Sequence, residues 1–358
     1  MMEITIDEAI QCADIIYIDV RSAAEYREAS IPGAINIPLF NEQEHRELGS
    51  IYRAAGESEA RLRAIEIAAP KLPSLVDEIR SVCGAKTPLL YCYRGGLRSL
   101  SLYQILNLAG IPCLRLKKGY KAFRKYVNRR MSLYEIGQHL FVLNGLTGVG
   151  KTALIAMLKE KGLPSIDLED LSRHRGSVFG TIGIKENRSQ KDFDALLLEQ
   201  LDHYKSIGCP YLVVEGEGKR IGNIYLPEFL TRAMENGCHI LLSASLERRV
   251  RRILETYLPA QIQPELKLQL ISSVSQLKNR LGARKTGELV AMINEDNYHC
   301  AVKILCTDYY DQLYSDSRPD CSSFAYTVDA EHLEIAAGKV IAIIKGEFEN
   351  RPNPSGTP

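Results

Sequence analysis

The nine cysteines, at positions 12, 83, 92, 113, 209, 238, 300, 306 and 321, include no C-x-x-C pair and show no zinc-ligand spacing. A disulfide-stapled scaffold and a structural zinc domain are therefore set aside, and most of these thiols are expected to be buried and inert in a reducing compartment. No apolar run approaches the ~18 residues of a membrane span. Residues 1–14 carry early acids where a leader would have a basic and then an apolar stretch. A cytoplasmic protein without membrane association is expected. Internal repeats are absent, and so is the N-K-x-D motif with which a GTPase would read its base. The net charge of +1 has no meaning for partners until it is mapped locally. Only residues 350–358, rich in Pro, Asn, Ser and Gly, are compositionally biased, and they are read as a flexible tail.

Against these absences stand 358 residues with 45% hydrophobic content, enough for two α/β domains. The first is placed at 1–130 and the second, with a parallel sheet, at 131–349. Within the first, residues 89–99 read LLYCYRGGLRS: a short apolar run, a loop with paired glycines, and then the apolar-periodic start of a helix. Cys92 falls at the bottom of that loop. Backbone N–H groups wrapped over a helix N-terminus favour an anion, as would Arg94 and Arg98 beside Gly95 and Gly96. The same field stabilises a thiolate, which makes Cys92 the candidate nucleophile. The C-x-x-x-x-x-R-S spacing also fits a phosphatase loop, although Tyr91 stands where those enzymes usually have His.

From 115 to 130 the chain carries eight basic residues and no acid, among them Lys117, Lys118, Lys121 and Arg124. These are candidate contacts to the phosphates of a nucleic acid, against the plainer reading of a solvated face. Helical spacing at 59–67 and 72–80, separated by Ala69-Pro70, carries no chemistry.

The second domain opens with an apolar strand at 139–144 followed by Gly145-Leu146-Thr147-Gly148-Val149-Gly150-Lys151-Thr152, a full G-x-x-x-x-G-K-[ST], and then a helix. Gly145, Thr147, Gly148 and Gly150 would shape a cradle for a diphosphate. Lys151 would neutralise its oxygens, and the Thr152 hydroxyl is placed to hold Mg²⁺ if one accompanies them. A second strand, 211–217, ends in the carboxylates Glu215 and Glu217 as candidate acids on the metal side. Two glycine-hinged basic loops follow the same logic of anion contact, one with Arg173, His174 and Arg175 and the other with Arg220. The helix at 247–254 adds Arg248 and Arg252, and the aromatic stretch 308–314 is read as packing on a helix.

The pattern I-D-V-R-S-x-x-E-Y-x-x-x-x-I-P-G-A-x-N-I-P, from Ile18 onward, resembles a rhodanese domain over about the first 130 residues. In that family the cysteine at the position of Cys92 carries sulfur or selenium in a persulfide-type intermediate. Asp19 and Arg21 are candidates to bear on that site, against the plainer reading of a pair tying loops together. Joined in order to GLTGVGKT, HRGSVFG, EGEGKRIG and DYYDQLY, the chain resembles the bacterial tRNA 2-selenouridine synthases. That resemblance implies a P-loop NTPase-like second domain and three substrates: tRNA with 2-thiouridine at the wobble position, selenophosphate and geranyl diphosphate. No tightly bound cofactor is implied. The alternative is an ATP-dependent tRNA sulfurtransferase using a Cys92 persulfide.

Overall fold

The computed structural model describes residues 2–177, 179–180, 182, 187–258, 262–315 and 324–349. The tail 350–358, Cys321 and Val178 of the first basic loop lie outside the described residues. The chain forms two compact units, Met1–Tyr134 with Ser189–Glu199, and Glu135–Arg188 with Gln200–Pro358. The sequence boundary at 130 did not anticipate that a later segment belongs to the first unit.

The first unit contains β1 (Glu3–Ile4), α1 (Ile6–Ala9), β2 (Ile15–Asp19), α2 (Ala23–Glu28), β3 (Ile35–Asn36), α3 (Glu42–Ala55), α4 (Glu57–Ala68), α5 (Leu72–Cys83), β4 (Thr87–Tyr91), α6 (Leu97–Leu108), β5 (Leu114–Leu116) and α7 (Gly119–Ser132). Its sheet has the order β1-β5-β4-β2-β3 and every pairing is parallel. A parallel sheet covered on both faces needs continuous apolar strands, which is why β2 and β4 read as unbroken apolar runs. Ile18, Leu90, Ile79, Leu102 and Leu106 meet in its core. Ser22 and Glu25 form a reciprocal cap at the start of α2. The polar helix α3, which has no fully buried residue but rests Leu48 against the core, lies in a stretch for which sequence analysis predicts no element.

The second unit comprises β6 (His139–Asn144), α8 (Lys151–Glu160), β7 (Ser165–Ile166), α9 (Leu168–Ser172), the end of α10 (Gln190–Ser206), β8 (Tyr211–Glu215), β9 (Arg220–Ile221), β10 (Ile224–Tyr225), α11 (Glu228–Glu235), β11 (Cys238–Ser243), α12 (Leu246–Tyr257), α13 (Pro264–Ser275), α14 (Lys278–Leu281), α15 (Ala283–Asn294), α16 (Tyr298–Leu305), a π-helical turn over Cys306–Tyr310, α17 (Asp311–Ser315), β12 (Tyr326–Asp329) and α18 (Leu333–Glu349). The order β12-β11-β6-β8-β7 is again wholly parallel, and β9 and β10 form a separate antiparallel ribbon. Helices α13, α15 and α16 supply Leu270, Val274, Leu289, Ile293 and Leu305 to a second apolar cluster beside the sheet core.

Candidate active sites

In open parallel sheets ligands gather at the carboxyl ends of strands where the connections diverge to opposite sides. In the first unit that point lies between β4 and β2, because β4 leads to β5 on one side and β2 to β3 on the other. Cys92 follows β4 directly. Its side chain is only 2% exposed, while Tyr93, Arg94, Gly96 and Leu97 around it are solvent-exposed. The thiol therefore lies buried beneath an exposed loop and packs at the edge of the apolar core. Its Sγ accepts a hydrogen bond from the Gly96 N–H at 3.2 Å and lies 3.3 Å from the Ser99 hydroxyl.

The loop is clamped from below. The N–H groups of Tyr120 and Lys121, in the first turn of α7, donate to the carbonyls of Cys92 and Tyr93, both at 2.9 Å. Gly119, at φ +55°, permits this approach, since an added Cβ would sit 2.0 Å from the Cys92 carbonyl oxygen. Buried Arg115 donates to the Gly95 carbonyl at 2.6 Å and pairs with Glu3. Among the described residues the Arg94 side chain has no hydrogen bond or ion pair, so it remains available to an anion.

Arg98 does not. Its guanidinium grips both oxygens of Glu25, at 2.5 and 3.1 Å, so its charge is neutralised within the fold. Burial would raise the Glu25 carboxyl, but Arg98 and the Ser22 N–H outweigh it and hold the group below its ordinary range. Arg21 likewise clamps Asp19 and donates to the Ala29 carbonyl at 2.7 Å. It lies 4.2 Å from the centre of the Tyr120 ring, so the pair ties loops together as its residue types suggested.

The basic run also divides. Lys117, Lys118, Lys121 and Lys125 are exposed and have no hydrogen bond or ion pair among the described residues. Arg124, expected beside them, is spent on Asp194 at 3.1 Å, Asn128 and the Lys191 carbonyl.

In the second unit β6 lies between β8 and β11, and the loop 145–150 leaves its carboxyl end at the corresponding divergence. Gly145, Gly148 and Gly150 all take positive φ. Any side chain at Gly148 would meet the Arg249 carbonyl oxygen at 2.8 Å. Arg249 donates to the Thr147 carbonyl at 2.8 Å and Arg252 to that of Val149 at 2.7 Å. A trans peptide points its N–H opposite to its C=O, so anchoring these carbonyls turns the Gly148 and Gly150 N–H groups to the other side. The first N–H groups of α8 add to them, having no partner within the helix. Arg252, read from sequence as a phosphate contact, borders the cavity over the P-loop and is also a strut that holds the Ala330 carbonyl at 2.6 Å. Arg249 is fixed in turn by Asp311 at 2.6 and 3.0 Å. Asp311 thus braces the P-loop, while the neighbouring Tyr309 and Tyr310 rings pack edge to face.

Lys151 reaches the Gly145 carbonyl at 3.4 Å and the Glu217 carboxylate at 3.7 Å. The Thr152 hydroxyl donates to Glu169 at 2.8 Å. Glu169, Glu217 and Asp167 border a cavity of about 780 Å³ that the P-loop floors. Burial and the charge of Glu217 push the Glu169 carboxyl up to about 7. Glu215 is fully buried and shifted well upward by burial and by Asp167, Glu169 and Glu217. One of its oxygens accepts from the Glu169 N–H at 3.2 Å, and the other has no partner among the described residues. These hard oxygen donors beside Thr152 fit Mg²⁺ by type.

The two glycine-hinged loops meet. His174 fills the space beside Gly180 and Gly222, where added Cβ atoms would come within 2.5 and 2.4 Å of its ring. Burial lowers its pKa. Arg173, left-handed at φ +48°, is exposed, borders the cavity and has no side-chain partner among the described residues. Arg175 is committed to the Ile182 carbonyl at 3.1 Å and to the face of Tyr257 at 4.8 Å. Arg220 folds back on Gly222 and Asn223 within its own ribbon. Arg248 borders the cavity and donates to the Glu331 carbonyl at 3.1 Å.

The family model described as the tRNA 2-selenouridine synthase AAA domain matches residues 138–332, and the rhodanese-like domain model matches 5–126. The tRNA 2-selenouridine synthase of Cupriavidus necator is 32% identical over 334 residues, covering 85% of this chain and 88% of that protein. The chain belongs to the tRNA 2-selenouridine synthase family. A second member, from Hydrogenovibrio crunogenus, is 30% identical and covers 86% of this chain and 90% of its own. Among solved structures, shikimate kinase from Bacteroides thetaiotaomicron aligns with 58% of this chain and 98% of its own, at 16% identity and a TM-score of 0.25. Within this tRNA 2-selenouridine synthase-family chain, the rhodanese-like part carries Cys92 and the AAA part carries the P-loop.

Sequence reading missed Ser99, Gly119, Glu169, Arg249 and Asp311. Glu169 had a faint signal, a run of acids (Asp167, Glu169, Asp170) directly after a short strand. Ser99 lies within the C-x-x-x-x-x-R-S spacing itself, while Gly119, Arg249 and Asp311 depend on contacts far apart in the chain.

Proposed function

We propose that this protein converts 2-thiouridine in tRNA to 2-selenouridine in two steps, alkylation of the sulfur and then its replacement by selenium. A thiocarbonyl sulfur leaves poorly, because direct exchange must expel sulfide. In the first step the sulfur attacks the carbon of geranyl diphosphate that bears the diphosphate. The carbon–oxygen bond breaks, the electron pair leaves with the diphosphate, and the ring N–H proton is released. Lys151, the loop N–H groups and Thr152 stabilise the departing charge. A Mg²⁺ bound with the diphosphate would be held by Thr152 and the neighbouring carboxylates and would supply further charge neutralisation. In the second step the Cys92 thiolate takes the phosphoryl group of selenophosphate and releases hydrogen selenide; the selenide adds to the ring carbon, the alkylated sulfur departs as a thiol, and water frees Cys92 as phosphate leaves. Exposed Lys117, Lys118, Lys121 and Arg173 are the contacts offered to tRNA phosphates.

The observation that carries this reading is the presence in one chain of a thiol beneath an exposed glycine loop and a separate anion cradle with a lysine. The test is mass analysis of nucleosides from tRNA incubated with the protein, selenophosphate and geranyl diphosphate, omitting each in turn. Cys92→Ser is expected to abolish selenation while geranylated tRNA accumulates, and loss of both steps would refute the division of labour. Lys151→Ala is expected to slow geranylation by about 10²-fold. An unchanged rate would refute the role of the P-loop.

A further inference from the structure

The P-loop cavity adjoins a second space. Thr147, Ser177, Ile253, Tyr257 and Tyr310 border both. Beyond them lies a chamber of about 60 Å³ whose floor is hydrocarbon, formed by Leu270 and Val274 of α13, Ile293 of α15 and Leu305 of α16. On the shared border the hydroxyls of Ser177 and Tyr257 lie 3.2 Å apart. Close-packed interiors hold few voids larger than a water molecule. One of this volume has room for roughly four to six waters, yet an apolar lining gives water no partners. A nucleobase would need donors and acceptors for its edge, and the floor offers none. Hydrocarbon is the chemistry the lining matches.

We propose that this chamber receives the hydrocarbon tail of the diphosphate ester held by the P-loop, and that Leu270, Val274 and Ile293 at its floor limit the length of that tail. The inference rests on the reading of the P-loop as a diphosphate site. The shared border decides the occupant: a ligand whose phosphates lie on the Thr147 side reaches the apolar side without crossing solvent. The π-helical turn places Tyr310 on that border, while Tyr257 and Ile253 enter it from α12.

The test is calorimetric titration of the full-length protein with inorganic diphosphate and with sulfur-bridged thiolodiphosphate analogues of the five-, ten- and fifteen-carbon prenyl esters, which do not transfer their chains. The ten-carbon analogue is expected to bind at least 30-fold more tightly than inorganic diphosphate. Ala301→Leu, which fills the chamber, should reduce that advantage below threefold and leave inorganic diphosphate unaffected. Val302→Phe, at a half-buried lining position, should do the same if the first variant fails to fold. Ile293→Ala should improve the fifteen-carbon analogue at least fivefold relative to the ten-carbon one. Equal binding of inorganic diphosphate and the ten-carbon analogue to the unaltered protein, or filling variants that leave their ratio unchanged, would overturn the inference while the P-loop reading stands. Failure of inorganic diphosphate to bind would overturn both.

Discussion

Identical side chains differ here in whether their charge is already spent. Arg94 and Arg173 are free among the described residues, whereas Arg98, Arg124 and Arg252 are committed to a carboxylate or to backbone carbonyls. The same distinction governs the acids beside the P-loop. Glu169 keeps its proton to about pH 7 because burial and Glu217 oppose its charge. An unfolded chain would release that proton near the ordinary value of 4.5. Between these limits the folded state holds the Glu169 proton and the unfolded one does not, so the contribution of this group to stability falls as pH rises from about 4.5 to 7 and is constant above. Glu169→Gln is expected to flatten this slope and to stabilise the protein at pH 7.5 by roughly 1–3 kcal/mol. Chemical denaturation at pH 5 and pH 7.5 measures it, and an unchanged slope would remove Glu169 as its source.

Each candidate site is a strand, a glycine loop and a helix, and each loop is held by groups that its own sequence does not contain. Gly119→Ala would drive a methyl group into the Cys92 carbonyl at a positive φ. It is expected to cost roughly 2–4 kcal/mol and to impair selenation more than geranylation, as read by thermal unfolding and nucleoside analysis of the same preparation. The strands, the P-loop and the helix ends after Gly96 and Gly150 were legible because their signals are local, in the form of apolar runs, glycines and periodicity. Helix α3 was not, because it meets the core through few apolar side chains, Leu48 among them, and is otherwise polar. Nor was the brace from Asp311 through Arg249 to Thr147, since a salt bridge between distant positions has no signature in a single sequence. The π-helical register at Cys306–Tyr310 is likewise set by packing rather than composition.

Across the whole chain, near-neutrality conceals a local excess of cations. Four lysines on and just before α7 remain exposed after the arginines among them have found partners. If they meet RNA phosphates, replacing Lys117, Lys118 and Lys121 together by alanine should make the dependence of log affinity on log salt shallower by about 2–3. Arg124→Ala should leave that slope nearly unchanged and lower thermal stability instead, and filter binding over a salt series separates the two.

Residues 189–199 carry a consequence for anyone dividing the gene in two. The part encoding 1–134 would lack Asp194, which holds Arg124, along with Lys191, which pairs with Glu28, and Asp192, which accepts from the Ser30 N–H. A silent N-terminal fragment would then report a missing piece of scaffold, not a missing catalytic partner. Complementation in trans becomes informative only when the second fragment still supplies that segment.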